Sequence, residues 1–187
     1  MDRASTETPH VVQFNPEADD IELLHRAGDG DSAAFHALVD RHAQRLYRLA
    51  VSLIGNATDA EDVLQETFVG AFRGLRTFEA RSSVKTWLTR ILVLQASQWN
   101  RSRRRRVAGS MDDSIPAAAG SPEAAMDVQA ALGRLSPEHR EVLALREFER
   151  MSYEEIAQVL DVPRGTVESR LHRARSELRE KLKDYLP

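Results

Sequence analysis

The stretch "SYEEIAQVLDVPRGTVESRLHRARSEL", residues 152–178, holds two helical patterns separated by a short break. Ser152 is a typical N-cap, and Glu155 three residues later completes a capping box. Asp161-Val162-Pro163 ends the first pattern, and Pro163 suits the start of a new helix. Two helices joined by a turn of about three residues form a helix-turn-helix.

The second helix of this stretch has two unlike sides. At about 100° per residue, one side is apolar: Val167, Leu171, Ala174 and Leu178. The opposite side is polar and basic: Ser169, His172, Arg173 and Ser176. A recognition helix needs apolar anchors behind and polar or basic groups in front, facing bases and phosphates. The alternative is an amphipathic surface helix with solvated arginines.

Composition limits the class of protein. The chain has 187 residues, enough for one mid-sized domain or two small ones, and 42% of them are hydrophobic. Without cysteine, it has neither disulfides nor thiolate metal sites. No apolar run approaches the roughly 20 residues that span a bilayer, and the N-terminus lacks the apolar region of a signal peptide. We expect a cytoplasmic protein without membrane insertion.

Helical periodicity covers most of the chain, and we find no strand pattern. The segment "VAGSMDDSIPAAAGSP", residues 107–122, has no periodic apolar stripe and is typical of a linker. The prediction is an all-α fold of two small helical domains joined by that flexible linker. Residues 1–17 would be a disordered tail, 18–106 an N-terminal helical bundle, and 123–187 the domain with the helix-turn-helix.

A basic segment ends the first predicted domain. Residues 68–106 hold ten lysines or arginines and one acid, Glu79, and "WNRSRRRR" (99–106) contains five arginines. Such a run neutralises phosphates, or it is the basic edge of the linker. Phe78, Trp87 and Trp99 lie between the basic residues, which suits unstacked bases. Core packing is the alternative for Trp87, whereas we expect Phe78, in a loop, to be exposed.

An acidic cluster precedes the basic segment. In "DAEDVLQETF" (59–68), Asp59, Asp62 and Glu66 share one helical face. This face is either solvated or docks on a basic partner. The opposite side is expected to be buried: Val63, Leu64, Phe68, Ala71, Phe72 and Leu75.

The residue pattern does not indicate catalysis or metal binding. No His, Ser or Lys lies near the acids in sequence, and no nucleophile–base pair or glycine-rich phosphate loop is present. His25, His36 and His42 lack the spacing of metal ligands. We therefore predict no catalytic residue, no metal site and no cofactor.

These pieces, in this order, resemble bacterial RNA polymerase sigma factors of the extracytoplasmic-function (ECF) class, group 4. The resemblance is carried by "DAEDVLQETFVGAFRGLRTFEARSSVKTWLTRI" (59–91) and "LSPEHREVLALREFERMSYEEIAQVLDVPRGTVESRLHRARSELREKL" (135–182). With the flanking helices it covers about residues 19–184. It implies a non-catalytic initiation factor, with sigma region 2 in residues 18–106 and region 4 in residues 123–187.

The resemblance also implies partners and sites. The residues that would bind the clamp coiled coil of the largest polymerase subunit are Asp59, Asp62, Gln65 and Glu66. Melting and recognition of the promoter −10 element fall on Phe78, Lys85, Trp87, Arg90, Arg101, Arg103 and Arg104. The C-terminal domain would hold the flap of the second-largest subunit and read the −35 element with Arg164, Thr166, Glu168, Ser169, Arg170, His172 and Arg173. A cognate anti-sigma protein, often membrane-bound, would hold the factor inactive.

The chain departs from the family pattern at DNA-facing positions. After "TWLTRI" the family usually continues with Ala, any residue, Asn, and an Asp four residues further on; here these places hold Leu92, Leu94 and Gln98. Glu168 stands where a basic residue is common. We therefore expect unusual promoter sequences. Two other classes stay open: an autonomous helix-turn-helix regulator whose N-terminal domain dimerises or senses a ligand, and a helical protein-interaction module.

Overall fold

The computed structural model describes residues 16–108 and 131–182, whose regular elements are all helical. The first part contains α1 (Pro16–Gly28), α2 (Ser32–Ile54), α3 (Ala57–Gly74), a 3₁₀ turn (Leu75–Thr77) and α4 (Val84–Ala108). The second contains α5 (Pro137–Glu147), α6 (Tyr153–Leu160) and α7 (Arg164–Lys181). The predicted all-α fold with two helical parts is confirmed. The predicted tail and linker lie outside the described residues, except for residues 16–17 in α1 and 107–108 in α4.

Local sequence signals set several helix ends. Gly55 closes α2 with a φ of 79°, in the left-handed region that glycine adopts without strain. Ser136 caps α5 with Pro137 following it. The capping box at α6 is present as predicted: the Glu155 amide donates to Ser152 Oγ at 3.2 Å, and the Ser152 amide donates to Glu155 Oε2 at 2.7 Å.

The first part is organised around α2. Its buried leucines face α1, α3 and α4: Leu38, Leu46, Leu49 and Leu53. α1 is fixed to α2 through the buried Asp20, which contacts the Arg41 guanidinium and lies 2.8 Å from His42 Nε2. Burial lowers the pKa of His42 below its usual 6.5, an effect that outweighs the raising influence of Asp20. His42 is therefore predominantly neutral near pH 7.

The helix-turn-helix follows the predicted pattern. Val167, Leu171 and Ala174 of α7 are buried, and they share a core with Ile156 of α6. Asp161 ends α6 with a φ of 54°. An aspartate tolerates this left-handed conformation better than most residues. The turn lets α7 pack its apolar side against α6 and leaves the polar side of α7 outside.

The two parts dock against each other, with α2 and α4 packed on α5 and α6. Ser97 Oγ of α4 donates to Glu141 Oε1 of α5 at 2.9 Å, and Arg140 Nη1 donates to the Leu53 carbonyl at 3.0 Å. Burial raises the pKa of Glu141, although the bond from Ser97 opposes the shift. Docking therefore places ionisable groups of α5 in a partly dehydrated interface.

Candidate nucleic-acid and partner interfaces

The solvent side of α7 carries most of the residues assigned to −35 recognition. Ser169, His172 and Arg173 are exposed side by side. Arg164, also exposed, lies 2.8 Å from Glu154 and 3.0 Å from Glu168, so Glu168 lies within an ion-pair cluster at the start of the helix. The surface offers both donors and acceptors, which is what base edges in a major groove require.

Two residues of that set lie apart from the others. Arg170 turns toward α5, where it lies 3.1 Å from Glu138, and only 22% of its side chain is exposed. Thr166 is half-buried in the first turn of α7, and its carbonyl accepts a bond from Ser169 Oγ at 3.0 Å. Both residues remain predicted DNA contacts, but Arg170 must leave Glu138 to reach a phosphate.

The arginines at 101–106 belong to a helix, because α4 continues to Ala108. One side of α4 forms a stripe, exposed except for the half-buried Trp87, that spans an arc of about 80°. We refer to it as the α4 stripe: Trp87, Arg90, Leu94, Gln98, Arg101 and Arg105. It unites three of the predicted −10 residues, Trp87, Arg90 and Arg101. Its charge and its length along one helix suit a nucleic-acid backbone.

The other basic candidates on α4 lie outside that stripe. Lys85 faces the second part, where its ammonium donates to the Glu149 carbonyl at 3.0 Å. Arg104 lies near Arg140, whose pKa is lowered first by burial and then by this neighbouring charge. Arg103 points to α3, with Nη1 3.8 Å from Asp59 Oδ2. The structure therefore does not unite these three with the α4 stripe.

Phe78 is half-buried, so the expectation that it is exposed is wrong. Its ring packs against Trp87 with centroids 5.2 Å apart and planes tilted by 58°. The tight fit depends on Gly74, where an added Cβ would lie 3.2 Å from Trp87 Cζ2. The pair keeps partial exposure at the N-terminal end of the α4 stripe, and half-exposed rings of this kind can stack on unpaired bases.

The acidic face of α3 is open to solvent. Asp62, Gln65 and Glu66 are exposed, and Asp59 is partly shielded beside Arg103. Phe72 extends this face, because it is 57% exposed. The expectation that Phe72 is buried is wrong. Its seven-residue spacing from Gln65 was the signal available, since that spacing places both on one side of a helix.

Phe72 does not stand alone on this surface. Its ring meets Phe35 of α2 edge-on, with centroids 5.1 Å apart and planes at 70°. α3 therefore presents carboxylates followed by an aromatic patch. Basic residues next to apolar ones on a partner would complement both.

A buried acid joins the two parts, and the sequence gives no sign of it. Glu149 lies between α5 and α6 and is 5% exposed. Its carboxylate lies 2.5 Å from Arg45 Nη1 and 3.8 Å from the Lys85 ammonium. Arg45 also donates to Thr89 Oγ1 at 3.1 Å. We refer to these four residues as the Glu149 cluster: Arg45, Lys85, Thr89 and Glu149.

Other site types are not seen within residues 16–108 and 131–182. No group of three or more His, Asp or Glu side chains in these ranges is arranged to hold a metal ion. No helix described there has the length and apolar character needed to cross a membrane.

Two basic helical surfaces on one chain, one of them in a helix-turn-helix, are typical of a DNA-binding transcription factor. Residues 38–106 match the family described as Sigma-70 region 2, and residues 125–178 match Sigma-70, region 4. The chain is 43% identical to the ECF RNA polymerase sigma factor SigE of Mycolicibacterium smegmatis, over 84% of this chain and 64% of that protein. It is 35% identical to the RNA polymerase sigma-H factor of Pseudomonas aeruginosa, over 89% and 95% of the two chains.

Solved structures agree with these relationships. CnrH in complex with the cytosolic domain of CnrY has a TM-score of 0.68 at 31% identity, over 89% of this chain and 98% of that one. The sigma factor RpoE in complex with the anti-sigma factor NepR from Bartonella quintana has a TM-score of 0.68 at 32% identity, over 80% and 96%. The chain belongs to the extracytoplasmic-function sigma factors. It is a non-catalytic factor that directs promoter-specific transcription initiation.

Proposed function

We propose that the chain binds core RNA polymerase through α3 and α5–α7 and places α4 and α7 on the −10 and −35 elements. The acidic face of α3, with Asp59, Asp62, Gln65 and Glu66, contacts the clamp coiled coil of the largest subunit, and Phe72 adds an apolar contact. The second helical part holds the flap of the second-largest subunit. Support for the clamp contact comes from the row of exposed carboxylates, which a basic partner surface would complement.

The observation that carries the proposal is the pair of basic surfaces on α4 and α7. On α4, the Phe78–Trp87 pair and the α4 stripe bind the melted −10 element together with the exposed Arg104, and Lys85 and Arg103 follow once Glu149 and Asp59 release them. On α7, Arg164, Thr166, Glu168, Ser169, Arg170, His172 and Arg173 bind the −35 element. In the docked form the Lys85 ammonium is bonded to Glu149 and is not free to contact DNA, which accounts for the need for polymerase.

An anti-sigma factor controls the chain in the cytoplasm, where polymerase works. This part rests on the likeness to RpoE, solved in complex with an anti-sigma factor, and to CnrH, solved in complex with the cytosolic domain of CnrY. Assignment to group 4 rests on the two matched regions, 2 and 4. A partner that stabilises docking of α2 and α4 on α5 and α6 keeps the Glu149 cluster intact and opposes DNA binding.

The test is run-off transcription with bacterial core polymerase and genomic fragments, with and without the chain. We expect transcripts from defined start sites only when the chain is present, and weak binding of the isolated chain to the same promoters. Absence of stimulation together with no detectable binding to active core polymerase would refute the proposal. A tight dimeric complex of the isolated chain on a palindrome would instead favour an autonomous regulator.

Matched variants separate the two surfaces. Asp62→Ala with Glu66→Ala is expected to lower affinity for core polymerase, whereas Glu61→Ala, an exposed acid on another side of α3, is the control. Arg173→Ala is expected to lower transcription from promoters that depend on the −35 element, with Arg179→Ala in the last turn of α7 as its control. Equal effects of each variant and its control would contradict the assignment of that surface.

A further inference from the structure

Leu94 is an apolar side chain at the centre of a basic surface. It is 52% exposed, one of three exposed large hydrophobic residues within the described ranges. The neighbouring Leu92 and Val93 are buried, so α4 does bury apolar side chains of this size on its inner side. The exposure of Leu94 therefore follows from its position on the α4 stripe.

The surroundings of Leu94 point to a ligand with both charge and apolar groups. Arg90 lies one turn before Leu94 and Gln98 one turn after it, with Arg101 further along the same side. Lys85 and Ser97, which donate hydrogen bonds to groups of the second part, lie about 180° and 60° around the helix from Leu94. Domain docking thus leaves Leu94 uncovered, and its flanking arginines match a polyanion.

Leucine can distinguish bases in only one way. It has neither donor nor acceptor, so it cannot read a base edge by hydrogen bonds. The C5-methyl group of thymine is the apolar group that a base edge presents, and side chains without polar atoms contact it. Arginines bound to phosphates on both sides would hold the strand so that a base edge lies against Leu94.

We propose that Leu94 determines −10 specificity through an apolar contact with the C5-methyl group of one thymine. The inference rests on the proposed binding of the −10 element by the α4 stripe. It predicts a preference for thymine over cytosine at that position. The partly exposed Phe78–Trp87 pair at the start of the stripe favours a thymine in a melted strand.

The test removes only the methyl group. Once the start site is mapped, each thymine of the −10 element, in either strand, is replaced singly by deoxyuridine, and open-complex formation is measured with holoenzyme. With the wild-type chain we expect one position at which the replacement lowers the equilibrium constant about fourfold, the value of burying one methyl-sized group. With Leu94→Ala, deoxyuridine at that position should have no effect.

Two further variants make the result specific. Leu94→Asn keeps the length and branching of the side chain but replaces its methyl groups with polar atoms, so the effect of deoxyuridine at that position should be lost. Arg101→Ala should weaken open complexes on every template to a similar degree and keep the fourfold effect of deoxyuridine, because a phosphate contact carries no base information.

The outcomes separate this inference from the proposed function. Chain-dependent transcription with no position sensitive to deoxyuridine would overturn the role of Leu94 and leave the sigma-factor assignment untouched. The same holds if deoxyuridine acts equally on wild type and Leu94→Ala. Loss of all chain-dependent transcription from wild-type protein would overturn the proposed function itself.

Discussion

Replacing Glu149 should release the two helical parts from each other. Its carboxylate lies 2.5 Å from Arg45 Nη1 and 3.8 Å from the Lys85 ammonium, and it is 5% exposed. In Glu149→Ala the cations would face each other without the acid. Arg45 Nε and Nη2 have no hydrogen-bond partner within the described residues. Once Glu149 is removed, Thr89 is the side chain that still accepts a hydrogen bond from Arg45.

The magnitude follows from burial. Removing one partner of a fully buried ion pair costs about 3–5 kcal/mol. Here the side chains of Arg45 and Lys85 are 21% and 41% exposed, so water reaches both cations and the penalty is smaller. We expect about 1–3 kcal/mol, which shifts the ratio of docked to separated forms about 5- to 150-fold.

The assay is energy transfer between two dyes on engineered cysteines. The chain has no cysteine of its own, so Ala33→Cys on α2 and Gln158→Cys on α6, both exposed, give specific labelling. Glu149→Ala should lower the transfer efficiency while the helical circular dichroism signal is unchanged. The matched control is Glu147→Ala, an exposed acid that pairs with Arg175 inside the second part. Unchanged transfer in Glu149→Ala, or an equal change in both variants, would refute the reasoning.

Three further predictions concern stability and binding. Gly55→Ala should lower the free energy of unfolding by about 1–2 kcal/mol in urea titrations, because a φ of 79° is strained for alanine. Burial lowers the pKa of His42 in the folded chain, so as pH falls the unfolded chain binds a proton at a higher pH than the folded chain does. The contribution of neutral His42 to the free energy of unfolding is therefore complete above pH 6.5 and is lost as pH falls. Between about pH 7.5 and pH 5.5, the free energy of unfolding measured in urea should therefore fall less for His42→Gln than for wild type. An equal fall in both proteins would contradict this prediction. Phe72→Ala should weaken binding to core polymerase in a pull-down titration and change stability by less than about 1 kcal/mol, since Phe72 is 57% exposed.

Local signals predicted the helix-turn-helix well. The capping box at Ser152 and Glu155 and the buried side of α7 depend on residues within three to seven positions of each other. Such patterns are visible in sequence because their physical cause is local. The same holds for Gly55 as the end of α2.

Contacts between distant residues were not predictable. Arg45 and Glu149 are separated by 104 positions, and neither is unusual in its local sequence. Phe72 was expected inside because it is apolar and lies near the buried Ala71, but its side of α3 faces outward beside Phe35. Phe78 was expected outside because it lies in a loop, but Trp87 covers it. In each case packing against another helix decided the outcome.

Several arginines predicted to contact DNA are paired with carboxylates of the same chain. Arg164, Arg170 and Arg103 each lie beside a carboxylate of the same chain, at Glu154, Glu138 and Asp59. The Arg164–Glu154 pair is exposed, and an exposed pair is worth at most about 1 kcal/mol, so DNA phosphates can replace it readily. Lys85 is different, because its release requires separation of two docked helical parts. We therefore expect the Glu149 cluster to be the main cause of the weak promoter binding predicted for the free chain. Loss of Glu149 should strengthen that binding more than loss of Glu138 or Glu154, as measured by fluorescence anisotropy on a mapped promoter.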